Sequence, residues 1–259
     1  IENFCVTPVG TFNDLEISII PLEAARPGFD TEYKIIYKNN GNTILSGALN
    51  LIFDDNLMNL VSTMPSADSQ ANGQLTWNYN SILPFEEREI EFTMNLNTPT
   101  DTNFPLNSDD ILTYNVTINP VTSDETPENN TFILNQTVVN SFDPNDKACL
   151  QGNTITPEMV GKYVNYIIRF ENTGTANAVN VVVKDDIDIS KYDMSSLIPV
   201  DGSHSFITRI SNTNTVEFIF ENINLPYDDA TNDGYVIFKV KTLATLVEGD
   251  IFKNNAEIY

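Results

Sequence analysis

Histidine and tryptophan each occur once in these 259 residues and cysteine twice, and 13 lysines and arginines face 36 aspartates and glutamates. Each scarcity excludes something. His204 lies in a turn signal, Gly202-Ser-His-Ser205, with no nucleophile motif around it, and reads as a surface-loop residue. Cys5 and Cys149 make no disulfide framework. Each precedes the first strong strand pattern of its own half, and a bond would need their Cα atoms within about 7 Å. A metal or nucleophile role lacks partners, and no basic cluster stands by to favour a thiolate. They read as unpaired, partly buried thiols. The shortage of cations leaves a net charge of −23. Such a surface repels nucleic acid and anionic lipid, which need Lys and Arg against phosphate. It attracts divalent cations, or serves solubility in salty surroundings; both readings stay open. No apolar run approaches the roughly 18 residues of a spanning helix, so no membrane insertion is expected. Ile1-Glu-Asn-Phe-Cys5 has neither the charged start nor the apolar middle of a signal peptide. The chain starts without Met and stops at Ile258-Tyr259 within an alternating pattern, as expected for an interior piece of a longer protein.

What is present is a repeated strand–turn sentence. Tyr33-Lys-Ile-Ile-Tyr-Lys-Asn-Asn-Gly41 and Tyr166-Ile-Ile-Arg-Phe-Glu-Asn-Thr-Gly174 match at one constant spacing: Tyr33, Ile35, Tyr37, Asn39 and Gly41 against Tyr166, Ile168, Phe170, Asn172 and Gly174. Between the copies lies a short acidic seam, Ser141-Phe-Asp-Pro-Asn-Asp-Lys147. Hydrophobic content of 41% supports a real core. The length suits one large or two ordinary domains.

Period-2 alternation predicts strands at 15–21, 32–38, 48–53, 75–79, 88–96, 111–118 and 131–139 in the first half. In the second half it predicts 163–171, 178–183, 206–210, 216–220 and 234–241. Asn39-Asn-Gly-Asn42 and Asn172-Thr-Gly174 are turns, because Gly and Asn tolerate positive φ. Gly249-Asp-Ile-Phe252 echoes Asp109-Asp-Ile-Leu112. Thr156-Pro-Glu-Met-Val-Gly161 predicts one helical turn with Thr156 as N-cap. Helical periodicity never persists over three turns. Many short strands with turn signals give an all-β chain of two tandem Ig-like antiparallel β-sandwiches, 1–140 and 141–259. A single large barrel is the alternative.

Carboxylates are the candidate chemistry. Asp143, Asn145 and Asp146 place three oxygen-bearing side chains in four residues at the joint, with Asp185 and Asp186, or Asp109 and Asp110, as candidates to complete a shell. Calcium takes about six to eight such oxygens in flexible geometry; an acidic solvated linker is the plainer reading. Asp229, Thr231, Asp233 and Gly234 match the opening of an EF-hand loop, but Val240 stands where its glutamate belongs. The stretch therefore reads as a tight turn, with Asp229 and Asp233 kept as candidate calcium ligands. Glycoside hydrolysis needs two carboxyls roughly 5–10 Å apart in a cleft, and nothing singles out such a pair. Trp77 and Tyr79 share one strand face, as core or as a sugar-stacking platform. Asn115-Val-Thr117, Asn129-Asn-Thr131 and Asn135-Gln-Thr137 are acceptor sequons that matter only on a eukaryotic secretory route.

Phe142-Asp-Pro-Asn-Asp-Lys147, then Tyr166 to Ala178, then Val181-Val-Val-Lys-Asp185, resembles a repeat of large secreted Bacteroidetes proteins that commonly stands just ahead of a C-terminal type IX secretion sorting domain. The first half is similar to the broader class of bacterial Ig-like adhesion or stalk repeats, through Tyr37-Lys-Asn-Asn-Gly-Asn42. The resemblance implies a secreted or cell-surface, non-catalytic spacer or adhesion module beside neighbouring domains of one parent protein. It carries over no catalytic or binding residue. The alternative is a carbohydrate- or protein-binding module of a secreted enzyme or adhesin, favoured if Trp77 lies exposed beside a groove. Catalysis is the third and weakest reading.

Overall fold

The computed structural model describes residues 9–140, 145–228, 231–252 and 256–259. The chain divides into two compact units, Ile1–Ser141 and Phe142–Tyr259. No α-helix occurs among the described residues. Unit 1 carries β1 (Leu15–Pro21), β2 (Asp30–Asn39), β3 (Leu45–Ile52), β4 (Met58–Met64), β5 (Ser69–Ala71), β6 (Gln74–Ile82), β7 (Glu87–Leu96), β8 (Ile111–Asn119) and β9 (Thr131–Thr137). Unit 2 carries β10 (Lys147–Cys149), β11 (Tyr163–Glu171), β12 (Val181–Asp186), β13 (Tyr192–Gly202), β14 (Ile207–Ser211), β15 (Thr215–Phe220), β16 (Asp233–Thr242) and β17 (Ala256–Ile258).

The strand order is the same in both units. Unit 1 has one sheet ordered β1-β2-β7-β4 and a second ordered β5-β6-β3-β8-β9. Unit 2 has β10-β11-β16-β13 and β14-β15-β12-β17. Each strand of unit 2 is the unit 1 strand of the same place plus nine in number; β9 has no counterpart among the described residues. Pairing between these strands is antiparallel throughout. Each unit is a two-sheet sandwich of the Ig-like kind, and no single barrel is formed.

The repeated motif is where the copies are held alike. Tyr33 stands opposite Phe92 across β2 and β7, with rings stacked at 5.1 Å. Tyr166 stands opposite Phe238 across β11 and β16, stacked at 5.6 Å. Burial of such offset aromatic pairs is a main source of sandwich stability. The turn asparagines also match. Asn39 Nδ2 donates to the carbonyls of Thr43 (2.6 Å) and Ile82 (3.2 Å), and its Oδ1 accepts from the Gly41 N–H at 3.0 Å. Asn172 Nδ2 donates to the carbonyls of Ala176 (2.9 Å) and Leu225 (2.9 Å), and its Oδ1 accepts from the Gly174 N–H at 3.0 Å. One amide thus ties a turn to a distant loop in both units. Gly41 is required for space: a Cβ there would lie 2.4 Å from the Phe12 carbonyl oxygen.

Asn39→Ala is expected to cost unit 1 about 2–3 kcal/mol, since it strips the partners from three backbone groups at a fully buried side chain. Asn172→Ala is expected to cost less, about 1–2 kcal/mol, because its turn is partly solvated. The shift in urea midpoint measures both.

Two expectations of local structure change. Pro157–Met159 is a single 3-10 turn, but the Thr156 side chain makes no capping hydrogen bond. The echo of Asp109-Asp-Ile-Leu112 in Gly249-Asp-Ile-Phe252 is not kept in structure: Ile111 opens β8, whereas Ile251 and Phe252 lie outside any strand and Gly249 adopts φ +93°.

Candidate functional site

Registering the two copies on their motif exposes a change of chemistry in the interior. In β1, Ile19 pairs with Ile35; in β10, Lys147 pairs with Ile168, the repeat partner of Ile35. Ile19 is fully buried. Its counterpart Lys147 has a side chain only 8% exposed. The buried positions of β3 and its continuation are Leu49, Leu51 and Phe53; in β12 the same inward phase runs Val181, Val183 and Asp185. Asp185 is 0% exposed, and Lys147 Nζ ion-pairs with its Oδ2. Because β10 belongs to one sheet and β12 to the other, the pair bridges the sandwich.

The surroundings are aromatic. Lys147 Nζ lies 4.9 Å from the centroid of the Tyr166 ring and 5.4 Å from that of Phe238. The Tyr166 and Tyr192 hydroxyls hydrogen-bond at 2.5 Å. Burial pushes the Lys147 ammonium down to about 8, against the opposing pull of the Asp185 charge. Burial raises the Cys149 thiol. It also lifts the Tyr166 phenol well above its ordinary value, and Tyr192 to about 12. The site therefore holds protonated phenols and a lysine close to losing its charge, all in an apolar shell. Hydrocarbon in place of a buried ion pair is often neutral or stabilising, and unit 1 uses hydrocarbon there. The charged pair in unit 2 calls for a reason other than stability.

The seven candidate calcium ligands fare differently. Asp143 and Asp229 lie outside the described residues. Asp185 is held by Lys147. Asp146 receives both of its carboxylate contacts, each 2.9 Å, from Arg169 Nη1. Asn145 Oδ1 accepts from the Glu171 N–H at 3.3 Å. Asp186 is 56% exposed, accepts from Thr215 Oγ1 at 2.6 Å and faces Lys184. Asp233 opens β16 and pairs with Glu171 in the ladder. Among the described residues no group of three or more His, Cys, Asp or Glu converges as a metal site. Gly234 has a packing role: a Cβ there would lie 2.2 Å from the ring of Phe170, its cross-strand neighbour.

Trp77 is 3% exposed and its Nε1 donates to the Pro65 carbonyl at 3.0 Å; the Tyr79 hydroxyl donates to the Asn119 carbonyl at 2.5 Å. Neither ring is available as a platform. His204 is exposed, with Nδ1 2.9 Å from the Ser203 hydroxyl. Cys149 Sγ lies 3.6 Å from Gln151 Oε1, and Cys5 lies outside the described residues. The sequence reading missed Lys147, which it took as the end of the acidic seam. The available signal was phase: Val181, Val183, Asp185 and Ile187 alternate, so Asp185 falls on the inward side and needs a cation.

Residues 143–259 match the family model of a domain of unknown function (DUF7619). No curated protein matches the chain. The chain is similar to the CARDB domain of the PF1109 protein of Pyrococcus furiosus, solved in complex with di-metal ions, at 18% identity over 53% of this chain and 100% of that one, with TM-score 0.34. It is similar to the collagen binding domain of the surface protein RspB of Erysipelothrix rhusiopathiae at 12% identity over 94% of this chain and 86% of that one, with TM-score 0.31. A third is the collagen adhesin CNA of S. aureus, at 16% identity over 96% and 86%, with TM-score 0.30.

Proposed function

We propose that the chain is a non-catalytic extracellular or cell-surface spacer, a stalk or adhesion segment of a larger secreted bacterial protein. One observation carries this: the same strand order, stacked aromatic pair and Asn-x-Gly tie are built twice in succession. Repetition of a self-contained sandwich is what a spacer built from modules calls for. The resemblance of 141–259 to secreted Bacteroidetes repeats supports the same reading and, with it, export by the type IX route. Single-molecule pulling between terminal handles tests it. Two separate unfolding events at well-defined forces are expected; continuous extension at negligible force contradicts a load-bearing spacer.

The outer face of β3, β6, β8 and β9 favours a second reading, a protein- or glycan-binding surface. It carries an Asn/Thr lattice in which Thr76 donates to Asn50 (2.8 Å), Thr113 donates to Asn135 (2.9 Å) and Thr117 meets Thr131 (3.3 Å). A glycan and matrix-protein array with Thr113→Lys as control separates the two readings; binding lost in the variant supports the second.

Calcium at the joint is a narrower proposal than the sequence suggested, because Arg169 and Lys147 already engage Asp146 and Asp185. At the joint it rests on Asp143, Asn145 and Asp186; Asp229 and Asp233 are a separate candidate cluster. Melting in EDTA and then in millimolar calcium tests it. Calcium at a hundred times its dissociation constant would add about 2.7 kcal/mol, and coincident melting curves remove the proposal.

A further inference from the structure

We propose that Lys147 and Asp185 condense into an intramolecular amide, a covalent strut from the first strand of unit 2 to its opposite sheet. The atoms needed are all in the ion pair. Lys147 Nζ and Asp185 Oδ2 are in direct contact, the lysine almost wholly buried and the aspartate fully so. The shell is hydrocarbon and aromatic: Val183, Tyr166, Phe238 and Tyr192 belong to one buried cluster. Desolvation penalises both charges, so transfer of a proton from ammonium to carboxylate, giving neutral amine and neutral acid, is favoured there far more than in water. The lowered affinity of Lys147 for its proton runs the same way.

The step balances without a co-reactant. One ammonium proton passes to the carboxylate. The Nζ lone pair attacks Cγ and the Nζ–Cγ bond forms. The Cγ–O bond to the protonated oxygen breaks, and that oxygen leaves as water with a second proton from nitrogen. No atom changes oxidation state. The Tyr166 and Tyr192 hydroxyls, hydrogen-bonded to each other, are the polar groups of the same cluster. Two groups held in contact react as if at roughly 10⁵–10⁸ M, and the water released has little to hold it in an apolar interior. Unit 1, with Ile19 at the matching strand position, has no such pair to condense.

Intact-mass spectrometry of the denatured, purified chain tests this with no variant needed. The expected mass is short of the sequence mass by one water. Tandem spectra of a tryptic digest are expected to show a branched peptide joining the segment that contains Lys147 to the one that begins at Asp185, with no cleavage after Lys147. Lys147→Arg and Asp185→Ala are each expected to restore the full mass. A chain of full mass, or a water lost at another site, overturns the proposal. Pulling provides a second readout, because residues 148–184 would stay closed in a ring and unit 2 would extend short by that segment. The inference does not rest on the spacer reading: the mass reports the bond whether or not the chain bears load.

Discussion

Replacing Lys147 with alanine is expected to cost unit 2 about 3–5 kcal/mol. The substitution removes the cation against which the fully buried Asp185 carboxylate is folded. It also removes the ammonium that lies over the rings of Tyr166 and Phe238. Asp185→Ala is expected to cost a similar amount by leaving the ammonium buried. The informative variant is the double one, Lys147→Met with Asp185→Leu. Two apolar chains of similar size recreate the hydrocarbon of unit 1, so most of the single-mutant loss should return. If the proposed strut forms, the double variant is expected to keep a deficit relative to the native chain. Urea unfolding followed by far-ultraviolet circular dichroism measures the set. A single substitution that costs under about 1 kcal/mol would place the pair in solvent and contradict its buried geometry.

Trp77→Ala is expected to cost unit 1 about 3–5 kcal/mol, the range for deleting a large buried ring and leaving a cavity. Trp77 packs from β6 opposite Leu49 of β3, and its N–H is satisfied by the Pro65 carbonyl. Trp77→Phe keeps most of the volume and is expected to cost less, about 1–3 kcal/mol, chiefly for the carbonyl left without its donor. Circular dichroism is the readout, because the substitution deletes the one tryptophan. An unchanged midpoint with lost glycan binding would instead make Trp77 a recognition residue.

The fold was legible where one face of a strand meets the core and the other meets water. Tyr33, Ile35 and Tyr37 in β2 form the buried face that alternation predicts; Tyr166, Ile168 and Phe170 in β11 are buried as expected, but β11 is buried on its other face as well, at Ile167 and Arg169. Asn39-x-Gly41 and Asn172-x-Gly174 were legible as turns; that the asparagines also reach carbonyls at Ile82 and Leu225 was not, because the partners are remote in sequence. Strands β4 and β13 escaped the reading for a shared reason. They hold the same place at a sheet edge in the two units, and each contains a register shift that breaks period two. Pro199 within β13 argued further against a strand. The site was only half legible. Asp185 was singled out, but as a surface ligand; its inward phase was overridden by the expectation that carboxylates face solvent. Lys147 sat at the end of a seam read as polar, in a strand of three residues.

The central claim is that one β-sandwich module is built twice, each copy with a core of its own. Residues 1–140 and 141–259, produced separately, test it through their amide correlation spectra. Each half is expected to give a dispersed, β-type spectrum that overlays the full chain's signals except near the cut. A half whose amides collapse into the narrow unfolded band would show that one core is shared between the copies and contradict the account.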